Sequence, residues 1–179
     1  MDRNYKILFF HGRGSTATTS TTGIKVKEFF EENDIPVFIP DYNPDGQLFY
    51  GVEKTIHDFI KNNDLDYSDL VVMGVSLGGY WALKTANELT SCTCVLLNPA
   101  LHVYGKDQVM LPREHNRKNL SIYCYLNKDD EIIDNEYIFN QLNNKATITQ
   151  YETGGHRMTN LSEIMNDILV KLRTQFPVI

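Results

Sequence analysis

A side chain that attacks a carbonyl needs a backbone that presents it, a base to take its proton and a carboxylate to hold that base. The segment Gly74-Val75-Ser76-Leu77-Gly78-Gly79 offers the first of these. G-x-S-x-G spacing suits a sharp turn between a strand and a helix, because glycines beside the serine let the chain double back without side-chain clashes. An apolar run precedes Ser76 and a helix-like stretch follows it, which is the context the motif requires. The Ser76 hydroxyl would then stand out over the sheet. The backbone N–H of Leu77, at the helix start, would face a developing oxyanion. The plainer alternative is a glycine-rich helix cap in which Ser76 is only a turn residue.

Five histidines compete for the role of base. His57 falls in a helical stretch, and His102 and His115 fall in an irregular one. His11 precedes Gly12 and reads as a packed residue that holds a turn. His156 follows Gly154-Gly155 in the loop after the last strand, free to reach over the sheet, and it is the base we select. For the carboxylate, Asn127-Lys128-Asp129-Asp130-Glu131-Ile132-Ile133-Asp134 offers several acids. Asp134 reads as a helix N-cap. Asp130 is taken as the acid, with Asp129 left open as the alternative.

A second oxyanion donor is expected in Phe10-His11-Gly12-Arg13-Gly14-Ser15, where a glycine-rich turn lets the main chain approach a substrate, and the N–H of Arg13 is assigned to it. A phosphate-cradling loop is the competing reading. It lacks support, because position 17 is Ala17 rather than the third glycine of G-x-G-x-x-G, and no G-K-[ST] occurs.

These loops need a frame. Strands are expected at Tyr5–Phe10, Pro36–Pro40, Leu70–Val75, Cys92–Leu97, Leu120–Leu126 and Ala146–Tyr151. Helices are expected at Gly23–Asn33, Phe49–Asn63, Leu77–Leu89, Asn135–Asn143 and Leu161–Leu172, with apolar stripes such as Val52, Ile56, Phe59 and Ile60. Near-continuously apolar strands alternating with amphipathic helices predict an α/β fold, a three-layer α/β/α sandwich around a mostly parallel, roughly six-stranded sheet. Sites in such sheets lie beyond the carboxyl ends of the strands, which is where Arg13, Ser76, Asp130 and His156 fall. Residues 1–179 fit one domain, with a short cap-like insertion at about 99–119. Tyr104, Val109, Met110 and Leu111 of that insertion are candidates to line an acyl pocket. Tyr80 and Trp81 read as core.

Composition excludes other classes. The chain carries 17 basic and 23 acidic residues, a net charge of -6, with no basic block to neutralise phosphates, so nucleic acid is not an expected partner. The apolar run Ile7–Phe10 is too short for a leader or a membrane span. Cys92, Cys94 and Cys124 read as small core fillers in a reducing cytoplasm, and no ligand spacing points to a metal. No cofactor is expected.

Together, the early H-G-x-G-S, Gly74–Gly79, Asp129–Ile133 and Gly154-Gly155-His156 resemble the α/β-hydrolase superfamily. Within it they are most similar to small single-domain esterases of the YqiA type and serine hydrolases of the retinoblastoma-binding type. The resemblance covers about Tyr5 to Leu172. It implies the chain order serine, acid, histidine, met here by Ser76, Asp130 and His156. It implies an acid in a D-x-x-[VI]-x pattern, whose phase Asp130 matches, with Asp134 standing where relatives often carry proline. It also implies that the residue after His-Gly, here Arg13, gives the second oxyanion N–H. The two leading antiparallel strands and the full cap of larger relatives are missing. The function implied is hydrolysis of carboxylic esters of small or medium acyl groups on a small-molecule substrate. A thioesterase or amidase on the same residues, or a non-catalytic binding module, are the alternatives.

Overall fold

Period-two alternation within apolar strands decides the architecture of this protein. In a computed structural model describing residues 5–43, 49–65, 70–89, 91–105, 109–113 and 120–176, six strands form one sheet. They are β1 (Lys6–Phe10), β2 (Val37–Phe38), β3 (Leu70–Val75), β4 (Cys92–Leu97), β5 (Leu120–Asn127) and β6 (Thr147–Tyr151). The order is β2-β1-β3-β4-β5-β6 and every pairing is parallel. Every residue of β3 and β4 is buried, as inner strands covered on both faces must be.

Among the described residues five helices cover the sheet: α1 (Thr21–Glu31), α2 (Phe49–Asn62), α3 (Leu77–Glu88), α4 (Asn135–Leu142) and α5 (Leu161–Gln175). On one face, Ile7, Phe9, Val71, Met73, Val95 and Leu97 pack with Val26 and Phe30 of α1 and Ile164, Ile168 and Leu172 of α5. On the other face, Leu8, Phe10, Val72, Leu96 and Leu126 meet Val52 and Ile56 of α2, Leu83 and Ala86 of α3 and Ile138 of α4. The three layers are those expected, and the minimal α/β-hydrolase fold is complete. Among the described residues no helix is long and apolar enough to cross a membrane.

The departures from expectation have local causes. The second strand shrinks from Pro36–Pro40 to two residues, because prolines at both ends of the run have no N–H to give the ladder. Pro36 still contributes its carbonyl, which accepts from the Ile7 N–H at 2.9 Å. Helix α1 starts earlier than expected, at Thr21, because Ser20 caps it by accepting from the Gly23 N–H at 3.1 Å. The sheet is wholly rather than mostly parallel. Trp81 and Tyr80 are buried in the core, as expected. Cys92, Cys94 and Cys124 are buried and unpaired, and burial pushes the Cys92 thiol up to about 12, so these thiols behave as apolar filler.

Tight backbone contact joins the layers at the top of β3. A Cβ on Gly78 would lie 2.0 Å from the Phe10 carbonyl oxygen and 2.6 Å from that of His11. Gly78→Ala must therefore push α3 away from β1. A loss of about 3 kcal/mol is expected. Thermal unfolding should record it as a drop in Tm of roughly 6–12 °C for a chain of this size.

Candidate active site

Ser76 joins β3 to α3 with φ 53° and ψ -121°, a left-handed conformation that costs a non-glycine residue energy and lasts only where neighbours enforce it. The enforcement is visible. The Ser76 N–H donates to the Leu97 carbonyl at 3.0 Å, and the Ser76 carbonyl accepts from Gly79 and Ala100, each at 2.9 Å. A Cβ on Gly74 would sit 2.1 Å from the Gly78 carbonyl oxygen, and one on Gly79 would sit 2.5 Å from Pro99 Cβ. Three glycines are thus needed for the turn to close. The Ser76 side chain does not cap α3, and its hydroxyl has no hydrogen-bond partner among the described residues. Leu77 opens α3, so no carbonyl of its own helix reaches its N–H.

The loop after β6 carries His156, and three consecutive acids after β5 each grip a different part of it. Asp129 accepts from the N–H groups of Gly154 (3.2 Å) and Gly155 (2.8 Å). Glu131 accepts from the His156 N–H at 3.1 Å. Asp130 takes the ring: its carboxylate oxygens lie 2.9 and 3.1 Å from His156 Nδ1. The choice between Asp129 and Asp130 as partner of the imidazole is therefore resolved by geometry in favour of Asp130. Asp130 Oδ1 also accepts from the N–H groups of Ile132 and Ile133, both at 2.8 Å, which fixes the carboxylate before the histidine arrives. Asp134 caps α4 by accepting from Tyr137 N–H, as expected.

Behind this loop lies an amide network that the sequence reading did not foresee. Asn98, after β4, and Asn127, ending β5, both donate to the Gly155 carbonyl, at 3.1 and 3.0 Å. Asn160 and Asn127 bond side chain to side chain at 2.8 Å, and Asn135 donates to the Asn127 carbonyl at 2.8 Å. Asn98, Asn127 and Asn135 are buried. Asparagine at the carboxyl ends of two adjacent buried strands was the available signal, since buried amides demand partners.

The Asp130 side chain is fully buried and that of His156 is 18% exposed. Burial raises the Asp130 carboxyl, but hydrogen bonds from His156, Ile133 and Ile132 outweigh it and hold the group below the usual range. The hydrogen bond to Asp130 raises His156 against the opposing effect of burial, with further help from the charges of Asp130 and Glu131. A neutral ring carrying its proton on Nδ1 donates to Asp130 and leaves the Nε2 lone pair available.

Ser76, Leu77, His156, Gly12 and Arg13 all border one cleft of about 810 Å³ beyond the carboxyl end of the sheet. Four of the five residues assigned from sequence, Ser76, Leu77, His156 and Arg13, thus border it, and Asp130 lies behind the His156 ring that it holds. The remaining histidines do other things. His11 is buried, stacks on Tyr42 with ring centroids 4.4 Å apart, and interacts through Nδ1 with the Gly12 carbonyl, so it holds the turn. His57 pairs with Glu88 on the surface. His102 joins the cleft wall against Tyr137, and His115 lies outside the described residues.

The insertion needs a correction. Tyr104, Val109, Met110 and Leu111 do not line the cleft; Ala100, His102 and Val103 do. Tyr104 instead packs on Tyr80, and Asn87 of α3 ties down Leu111 through its carbonyl at 2.9 Å and Arg113 through its N–H at 3.0 Å. The apolar residues of the segment cover the outer side of α3 because α3 is buried on nearly all sides and needs that cover.

A parallel sheet, a glycine-braced turn after β3 and loops converging on one cleft define the α/β-hydrolase architecture. The chain belongs to the UPF0227 family, described as an uncharacterised protein family, whose profile matches residues 6–120. That match includes the Gly12 loop and the turn at Ser76 and ends before Asp130 and His156. The resemblance to the small YqiA-type hydrolases therefore holds. The α/β hydrolase ucsC of Acremonium sp is 28% identical over 116 residues, 61% of this chain; the chain spans only about a fifth of that relative's length. Among solved structures, the esterase Est2 of Thermogutta terrifontis, bound to propionate, superposes with a TM-score of 0.69 at 16% identity, over 98% of this chain and 85% of that one. XC6422 of Xanthomonas campestris, an α/β serine hydrolase without a lid, gives 0.65 at 14%, over 97% and 84%.

The pairing of Asp130 with His156 makes a prediction independent of activity. Replacing Asp130 with Asn removes the charge that favours the imidazolium, so the His156 pKa should fall from its raised position toward or below the ordinary 6.5. An NMR titration of the imidazole resonances in both proteins measures the shift. An unchanged midpoint would contradict the assignment.

Proposed function

We infer that the chain is a serine hydrolase of carboxylic esters of small or medium acyl groups, acting through Ser76, His156 and Asp130. The observation that carries this reading is the imidazole of His156 held by a buried carboxylate at 2.9 Å beside a strained, unbonded serine in the same cleft. In the proposed reaction, Ser76 Oγ attacks the acyl carbonyl while His156 Nε2 takes its proton. The N–H groups of Leu77 and Arg13 hold the oxyanion, each contributing about 3–4 kcal/mol. His156 then protonates the leaving alcohol, and the acyl-enzyme bond between Ser76 Oγ and the acyl carbon remains. Water deprotonated by His156 attacks that carbon, the acid leaves, and Ser76 recovers its proton. In this reading the hydrogen bond between Ser76 Oγ and His156 Nε2 forms when substrate binds. Residues 1–179 act as one domain in this reading, and Ala100, His102 and Val103 serve as a short wall of the cleft. The buried thiols suit a cytoplasmic setting.

Treatment with a fluorophosphonate should add one adduct to the native protein and none to Ser76→Ala, read by intact mass spectrometry. Ester hydrolysis by Ser76→Ala should fall by several orders of magnitude. A native protein that stays unlabelled, or a variant that keeps its activity, rules the reading out.

The cleft has apolar lining only from a few short segments, among them Ala100, Val103, Ile132 and Ile133. In a series of 4-nitrophenyl esters, kcat/KM should peak at short or medium acyl chains and decline for long ones. Preference for the longest ester would overturn that limit.

A further inference from the structure

The charge of the cleft runs against that of the chain. The protein has a net charge of -6. Yet among the described residues no Asp or Glu lines the cleft at Ser76, whereas Arg13, Lys25 and Arg157 do. The acids nearest in sequence to His156's partner are already committed: Asp129 and Glu131 to loop N–H groups, Asp130 to the imidazole. Glu28 of α1 and Glu32, its C-cap, border a separate hollow that Lys25 also touches. Lys25 and Arg157 are exposed, and among the described residues neither has an ion-pair partner.

The two kinds of lining come from different elements. Lys25 belongs to α1, with Thr21 and Thr22 of its first turn on the same wall, and Arg157 directly follows His156. Helices α1 and α5 share one face of the sheet, and the His156 loop leads into α5, so these cations converge from one side. Ala100 and Val103, after β4, and Ile132 and Ile133, before α4, form the apolar wall. Ser76, at the end of the inner strand β3, borders both. An unpaired cation beside a nucleophile in an acidic protein raises the local concentration of anions and holds one through charge-assisted hydrogen bonds.

We propose that the ester cleaved at Ser76 carries an anionic group, a carboxylate or a phosphate, bound by Lys25 and Arg157, while its apolar part rests on the Val103–Ile132 wall. This rests on the serine-hydrolase reading above. An anion reaching these side chains from the scissile carbonyl lies either on the acyl or on the alcohol portion, and substrates can separate the two.

The test compares matched pairs by kcat/KM. The acyl-side pair is mono-4-nitrophenyl adipate against 4-nitrophenyl hexanoate. The alcohol-side pair is the butanoyl ester of 2-hydroxyethyl phosphate against butyl butanoate. Native protein should prefer the anionic member of at least one pair, and which pair responds identifies a carboxylate on the acyl side or a phosphate on the alcohol side. That preference should shrink as salt rises, because the cations are exposed. In Arg157→Gln it should fall about tenfold, and in Lys25→Glu it should fall further or invert, by the loss of one charge-assisted contact in each. Arg157→Lys should restore most of it, which separates charge from a disturbance of the neighbouring His156. Equal or weaker cleavage of both anionic esters by native protein, or a preference that neither variant alters, overturns the proposal while leaving ester hydrolysis intact. No Ser76-dependent cleavage of any of the four esters overturns the serine-hydrolase reading as well.

Discussion

The close approach of α3 to the end of β1 governs the geometry of this molecule. Gly78 lies so near the Phe10 and His11 carbonyls that no side chain could stand between them. That contact forces β3 to reverse into α3 within a single residue, and Ser76 takes up the reversal at φ 53°. A strained residue persists only where its surroundings over-determine it. Here the surroundings are a bond to Leu97 in the next strand, two bonds accepted by the Ser76 carbonyl, and glycines that remove every competing clash. The same approach brings Gly12 alongside, its Cβ position 3.5 Å from Ser76 Cβ, so the first loop of the chain reaches the serine without a separate positioning device.

The histidine side of the cleft is built on a different principle. In the loop after β6, Gly154 and Gly155 take φ 149° and 60°, and a Cβ on Gly154 would lie 2.5 Å from the side chains of Asn127 and Asn160. Restraint comes from side chains at and just beyond the ends of β4 and β5. Asp129 and Glu131 take the loop's N–H groups, Asn98 and Asn127 give hydrogen bonds to the Gly155 carbonyl, and Asp130 takes the imidazole. Because β4 and β5 are neighbours in the sheet, Asn98 and Asn127 meet through the Asn127 N–H at 2.8 Å from Asn98 Oδ1, and the network becomes one unit. Hydrogen-bonded side chains linked in this way restrain one another, although the buried Asn135 Oδ1 has no partner among the described residues. Such rigidity is what an imidazole needs if it is to remain in reach of a serine fixed by another part of the fold.

Much of this was legible in the residue order, and the parts that were not have a common cause. Strands β3 and β4 were readable to the residue because continuous burial leaves an uninterrupted apolar run. The turn at Ser76 was readable because its glycines serve a local steric need. The roles of Asp129 and Glu131 were not, since three adjacent acids look alike until the loop they face, more than twenty residues away, is folded against them. The asparagine network was hidden for the same reason: its bonds span separations of 8 to 57 residues. The apolar residues of the 99–119 segment were assigned to the wrong surface, because hydrophobicity indicates that Val109 and Leu111 are covered without indicating whether substrate or α3 covers them.

The acid triplet also bears on the charge of the cleft. Three carboxylates beside an imidazole at the edge of a cleft would ordinarily make it repel anions. None of the three lines the cleft: the Asp130 side chain is buried against the ring, and Asp129 and Glu131 accept from backbone N–H groups of the loop. The charged residues that line the cleft are Arg13, Lys25 and Arg157, in a chain whose overall charge has the opposite sign. Holding the histidine and leaving the opening cationic are thus consistent with each other, because the same hydrogen bonds that anchor the loop engage its acids.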